Sequence, residues 1–246
     1  LPRFHVTEPL SEGLRLRLPA SVARHVQVLR LQPGDELLVF DGQGSEWAAQ
    51  VQAVARSEVW VQVGRRRSAQ RELACAVTLA VAMPANDRMD MVVEKATELG
   101  VAVIQPLLTE RSVLRLSGDR AVKKVAHWQA VAVAACEQCG RSVLPRVAPV
   151  AGLAQWLASL GDGASAPPGL RLLLSPRAAA PLPVWPNAAP AVLALSGPEG
   201  GLTPDEEAAA LAQGFAAASL GPRVLRADTA PLALLAHVAL SIESRR

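Results

Sequence analysis

Long uninterrupted apolar runs are missing from this 246-residue chain, although half of its residues are hydrophobic. Pro, Arg or Gly breaks each run well before the ~18–20 residues that a membrane span needs, so no span is expected. The opening Leu1-Pro2-Arg3-Phe4-His5-Val6 lacks the apolar stretch of a signal peptide. Cysteine is scarce too. Three cysteines without a secretory signal argue against a disulfide scaffold and for a reducing cytoplasm. The four histidines (His5, His25, His127, His237) are scattered, and no second cysteine pair completes a zinc-site spacing, so no metal is expected. Gly-x-Ser-x-Gly does not occur, which argues against a nucleophile elbow. Lysine is confined to Lys95, Lys123 and Lys124 while Arg and Ala abound, a bias of base composition with little functional content.

The net charge of +3 hides an uneven distribution. Residues 111–146 carry Arg111, Arg115, Arg120, Lys123, Lys124, Arg141 and Arg146 against Asp119 and Glu137. Arg65-Arg66-Arg67 with Arg71 forms a second basic run. Such clusters serve either as solvated surface or as a face that tracks the phosphates of a nucleic acid. Cys136-Glu137-Gln138-Cys139 has the C-x-x-C form but falls at a helix C-terminus, where the dipole disfavours a thiolate.

Up to about residue 70 the chain reads as short strands: 14–18, 36–40, 47–54 and 59–63, with a helix over 21–31 and a linker over 65–71. These make a small β-barrel with a helix. From there strands alternate with helices. Strands are expected at 77–82, 101–107, 170–174, 191–195 and 215–219. Helices are expected at 87–99, 121–139, 153–160, after Thr203 and at 229–246, with a loop over 161–169. Asp87 and Asp90 fall in the first turn of the 87–99 helix, and Gly100 just past its end. The alternation indicates an α/β domain with a mostly parallel sheet.

Ser196-Gly197-Pro198-Glu199-Gly200-Gly201 joins one of those strands to a well-signalled helix. Thr203 suits the N-cap, Pro204 the first helical position, and Glu206 completes a capping box. Glycines here let backbone N–H groups approach a ligand closely. The loop has neither P-loop nor dinucleotide spacing, and Glu199 would repel a polyphosphate, so the expected ligand is not strongly anionic. A second exposed-backbone loop follows in Leu220-Gly221-Pro222-Arg223-Val224-Leu225-Arg226. Asp228 and Thr229 then sit beside the last helix, with Thr229 suited to its N-cap. Lys95 and Glu98 share a helix face, Glu110-Arg111-Ser112 follows the next strand, and Glu137-Gln138 with Arg141 ends the next helix.

Together these motifs resemble the RsmE family of the SPOUT superfamily. The resemblance is carried by Gly197-Pro198-Glu199-Gly200-Gly201 and by Leu220-Gly221-x-Arg223-Val224-Leu225-Arg226-x-x-Thr229-Ala230. Lys95-Ala96-Thr97-Glu98-Leu99-Gly100, Pro106, Glu110-Arg111-Ser112, Glu137-Gln138-x-x-Arg141, Pro145, His25-Val26-x-Val28-Leu29-Arg30 and Gly34-Asp35 extend it over nearly the whole chain. Asp228 departs from the family's glutamate and shortens the reach.

The resemblance implies an α/β fold: a small N-terminal PUA-like β-barrel (1–70) and a C-terminal trefoil-knotted SPOUT methyltransferase domain (73–246). It implies S-adenosylmethionine-dependent methylation of uridine N3 in 16S rRNA, by a cytoplasmic homodimer acting on the small ribosomal subunit. Cofactor positions carried over are Leu174, Ser175, Ser196, Gly197, Glu199, Gly200, Gly201, Leu220, Gly221, Val224, Leu225 and Arg226. Arg111, Glu199 and Arg226 are the expected catalytic groups, with Glu98 and Asp228 as further candidate bases. Arg24, Arg30, Lys95, Arg111, Arg115, Lys123, Lys124 and Arg141 are expected to contact RNA. A related enzyme acting on a ribose 2′-hydroxyl and a non-catalytic RNA-binding dimer are the alternatives.

Overall fold

The computed structural model describes residues 1–56, 58–68, 70–85, 88–161, 169–178, 180–183 and 191–243. Asp87, most of the expected 161–169 loop and residues 244–246 of the expected last helix lie outside them. The chain divides into two compact units: Leu1–Glu72 with Val133–Leu144, and Leu73–Ala132 with Pro145–Arg246.

The first unit holds one sheet of five strands, β1 (Arg3–His5), β2 (Arg15–Arg17), β3 (Glu36–Phe40), β4 (Ser45–Val54) and β5 (Val59–Ser68). Their order is β1-β3-β4-β5-β2; β1 runs parallel to β3 and the other pairs are antiparallel. The alternation at Val59, Val61 and Val63 does what period two requires, since all three are buried with Phe4, Leu37 and Val39. Helix α1 (Ala20–Val28) closes this core with Val22, Ala23 and Val26.

Residues 65–68 are strand rather than linker. They pair with the start of β4, Arg66 donates to the Ser45 hydroxyl at 2.8 Å through Nε, and its guanidinium stacks over Trp47. An arginine-rich strand end resembles a loop in sequence because its charges hide the β pattern.

The second unit begins with β6 (Ala76–Ala82), α2 (Arg88–Glu98), β7 (Val103–Leu108) and α3 (Gly118–Cys139), whose last turns belong to the first unit. It continues with β8 (Arg146–Val147), β9 (Ala151–Gly152), α4 (Leu153–Ser159), β10 (Leu170–Leu174) and β11 (Ala191–Ser196). Helix α5 (Pro204–Ala212), β12 (Ala216–Ala218) and α6 (Thr229–Glu243) complete it. All its strand pairs are parallel, in the order β12-β10-β11-β6-β7-β8, with β9 also on β7.

Successive strand residues face opposite layers. Leu172 and Leu174 join Val77, Leu79 and Val81 in a core with residues of α2, α3 and α6. Leu173 joins Ala80 and Leu195 in a second core with α4 and α5. Burial on both faces explains why these strands are mostly apolar rather than alternating with polar residues. Gly100 ends α2 at φ +94°, and a Cβ there would meet Leu73 Cγ at 2.7 Å, so glycine is required twice over. Thr203 and Glu206 form the expected capping box on α5, with N–H to oxygen distances of 3.2 and 2.9 Å. Glu206 also accepts the Glu110 N–H at 2.8 Å, which ties the loop after β7 to α5. Helix α6 starts at Thr229 itself, whose hydroxyl donates to Asp228.

Candidate functional site

The parallel strands β10, β11 and β12 release their chains at one edge of the sheet, where open α/β sheets place ligands. The loops that follow them enclose a cleft of about 480 Å³. Leu174 at the end of β10 is followed by Pro176 and Arg177 of the first loop, Ser196 at the end of β11 by Gly197 to Leu202 of the second, and Val224 to Ala227 come from the third. Ala230 of α6, Glu207 of α5 and Arg111 complete the lining. A smaller hollow of about 50 Å³, lined by Ser175, Leu220 and Gly221 among others, shares Leu174, Pro176, Leu225 and Ala230 with it. All twelve positions carried over for a cofactor border one hollow or the other.

The glycine loop is tightly drawn. Gly201 has φ +67° and its N–H donates to the Pro198 carbonyl at 2.9 Å. A Cβ on Gly197 would come within 3.1 Å of the Leu202 nitrogen, and one on Gly200 within 3.3 Å of Arg111 Cβ. The Arg111 guanidinium donates to the Gly200 carbonyl at 2.9 Å, which places the arginine against the loop. Glu199 accepts the Ala85 N–H at 3.0 Å through one carboxylate oxygen; the other has no hydrogen bond among the described residues. Arg226 is exposed and its side chain forms no ion pair among the described residues. Ser196 is buried, yet its hydroxyl is without a hydrogen-bond partner there.

Other candidates are placed elsewhere. Glu98 lies on α2 and receives the Lys95 ammonium at 2.9 Å; Glu94 receives it at 2.6 Å. These bonds raise the Lys95 pKa. Asp228 is buried and does not line the cleft. Arg24, Arg30, Arg115 and Lys123 are exposed, Lys124 is half-buried, and none borders the cleft.

Arg141 requires a correction. It is 3% exposed and gives its guanidinium to Glu72, with Nε to Oε2 at 3.0 Å, so it is a structural cation of the first unit rather than an RNA-facing one. Cys136 is buried, and burial pushes its thiol up to about 12, the opposite of what a redox cysteine needs. Among the described residues no cluster of His, Cys, Asp and Glu is suited to a metal ion, and no helix is long and apolar enough to cross a membrane.

Arg177 and Glu207, paired at 2.7 Å on the cleft wall, escape sequence reasoning because they meet only through the fold. Their sole trace is that Arg177 directly follows the Leu174-Ser175-Pro176 segment.

A family model described as an RNA methyltransferase domain matches residues 71–239, and one described as an RNA methyltransferase PUA domain matches residues 18–64. The chain is 38% identical over 222 residues to Ribosomal RNA small subunit methyltransferase E of Synechocystis, covering 89% of this chain and 70% of that one. The Ribosomal RNA small subunit methyltransferase E of Neisseria gonorrhoeae, solved bound to S-adenosyl methionine, superposes with a TM-score of 0.87 at 35% identity, covering 96% of this chain and 95% of that one. A Legionella pneumophila protein solved with the bound cofactor SAM gives a TM-score of 0.89 at 33% identity, covering 96% of both chains.

Proposed function

The chain belongs to the ribosomal RNA small subunit methyltransferase E family, and on that premise we propose that it methylates N3 of a uridine in 16S rRNA with S-adenosylmethionine. The observation that carries this proposal is the cleft formed by the three loops after β10, β11 and β12, in a fold shared with relatives solved with that cofactor. Its lining fits the molecule. Leu174, Val224, Leu225 and Ala230 offer apolar walls, the glycine loop offers exposed backbone, and the unpartnered Ser196 hydroxyl offers a hydrogen bond.

When bound, S-adenosylmethionine supplies an electrophilic methyl group. The residues then have two tasks. The uracil must be held in line, which can account for up to roughly 7–11 kcal/mol of barrier in favourable cases. Its N3 proton must also be removed while charge spreads onto the flanking oxygens. Arg111 and Arg226 are assigned to those oxygens, and the open carboxylate oxygen of Glu199 is assigned to the proton. N3 takes part in base pairing, so the target nucleotide must be unpaired or flipped out. Exposed Arg24, Arg30, Arg115 and Lys123, with Lys95 and Lys124, are assigned to the RNA phosphates.

The protein is further proposed to act in the cytoplasm as a homodimer on the small ribosomal subunit. Val113, Val122, Val224 and Leu240 are each at least two-thirds exposed in the second unit. Apolar surface of that kind is what a second copy would cover. Family membership implies the knotted path of this unit.

Calorimetry with S-adenosylmethionine, followed by mass spectrometry of nucleosides from treated small subunits, tests the assignment. Cofactor binding with appearance of N3-methyluridine is expected. A 2′-O-methylated product would move the reaction to the ribose, and RNA binding without cofactor affinity would leave a non-catalytic binding protein.

A further inference from the structure

Arg88, the first residue of α2, places its guanidinium between carboxylates from two different loops of the cleft. Nη1 lies 3.4 Å from Glu199 Oε1, and Nε lies 4.0 Å from Asp228 Oδ2. The Ala85 N–H holds the same Glu199 oxygen at 3.0 Å. Asp228 is only 6% exposed, and a carboxylate at that depth needs a cation beside it. Glu199 stands in the turn after β11, and Asp228 stands between Arg226 and α6. Arg88 does not itself line the cleft.

We propose that Arg88 is a positioning residue that ties the glycine loop to the loop ahead of α6 and so holds the cleft in its binding shape. The inference rests on the cleft being the S-adenosylmethionine site. Without the guanidinium, the shared cation that links the two carboxylates is gone and the loops carrying them separate. Affinity then falls with the fraction of molecules that keep the competent arrangement. Lysine is an imperfect substitute. Its ammonium is a point charge, whereas the guanidinium reaches both carboxylates, with Nη1 on Glu199 and Nε at ion-pair distance from Asp228.

The test uses the full chain, with S-adenosylmethionine calorimetry and steady-state methyl transfer. Arg88→Met is expected to weaken cofactor binding about tenfold, the combined effect of one partly exposed pair and one to a buried carboxylate. It should raise the cofactor KM more than it lowers kcat, and Arg88→Lys should recover part of the loss. Glu199→Gln should cost less affinity in the Arg88→Met background than in the wild type, because the shared contact is already gone. Should Arg88→Met fail to fold, Arg88→Lys and its double variant with Glu199→Gln decide the matter.

Wild-type affinity in Arg88→Met, or a lowered unfolding midpoint with unchanged Kd and KM in the folded protein, overturns the proposal. Absence of cofactor binding by the wild type overturns the assignment of the cleft, and this inference with it. That outcome is recognised without any variant.

Discussion

Ser196 and Arg111 show how single side chains divide between holding the fold and serving a ligand. A buried hydroxyl with no partner costs a protein about 1–3 kcal/mol, and Ser196 is in that position. Ser196→Ala is therefore expected to raise the unfolding temperature of the free protein by roughly 2–4 °C for each kcal/mol recovered. The same change should weaken S-adenosylmethionine binding about tenfold. Thermal scans without ligand, set beside calorimetry, read the two opposite signs; a fall in stability would mean that the hydroxyl serves the fold. Arg111 spends one nitrogen on the Gly200 carbonyl and is otherwise exposed. Arg111→Ala should lower kcat about 100-fold, the scale of losing one charge-stabilising donor, and lower kcat more than it weakens cofactor affinity. Single-turnover rates at saturating cofactor check this, and near wild-type activity would remove Arg111 from the reaction. Both residues were visible in the sequence, Ser196 because it opens the glycine loop and Arg111 because Glu110-Arg111-Ser112 follows a strand at the end where parallel sheets place their ligands. Arg88 was not, since nothing local marks a helix-starting arginine as the partner of carboxylates more than a hundred positions away.

Between elements, Asp90 joins α2 to α3. Its carboxylate accepts the Trp128 indole N–H at 2.9 Å and lies 2.6 Å from His127 Nε2. Burial acts to raise its pKa, but the hydrogen bonds to His127 and Trp128 prevail and hold it below the usual carboxylate range. A depressed folded value means that the stabilisation is present above about pH 4 and is lost as the pH falls through that lower value. Asp90→Asn should thus cost about 1–2 kcal/mol near pH 7, with the gap to wild type closing as the pH falls below the ordinary carboxylate range. Urea unfolding at several pH values measures it; a gap that stays constant down to low pH would show that the charge is irrelevant. The sequence foresaw both helices, the first from its first-turn acids and the glycine just past its end, and the capping box of α5 from four adjacent residues. It could not foresee the Asp90 contact, which depends on the packing of two helices rather than on either one.

At the scale of the molecule, the strand and helix alternation of the second unit was legible, because a parallel sheet buried on both faces leaves short, mostly apolar segments between helices. Membership of residues 133–144 in the first unit was not. It depends on the Glu137 carboxylate accepting the His5 N–H at 2.9 Å, on Arg3 donating to the Arg141 carbonyl at 2.9 Å, and on the Arg141–Glu72 pair. A fragment of residues 1–72 alone should accordingly unfold at lower temperature than the same residues joined to 133–144 through a flexible linker. Circular dichroism melts compare the two, and equal midpoints would show that the distant segment adds nothing. The same arrangement bears on synthesis. A nascent chain cannot complete its first unit when residue 72 leaves the ribosome, but must wait for the segment ending at residue 144. At about 5–20 residues per second that is a delay of roughly 4–14 s, during which buried ionic partners of the first unit are still untranslated.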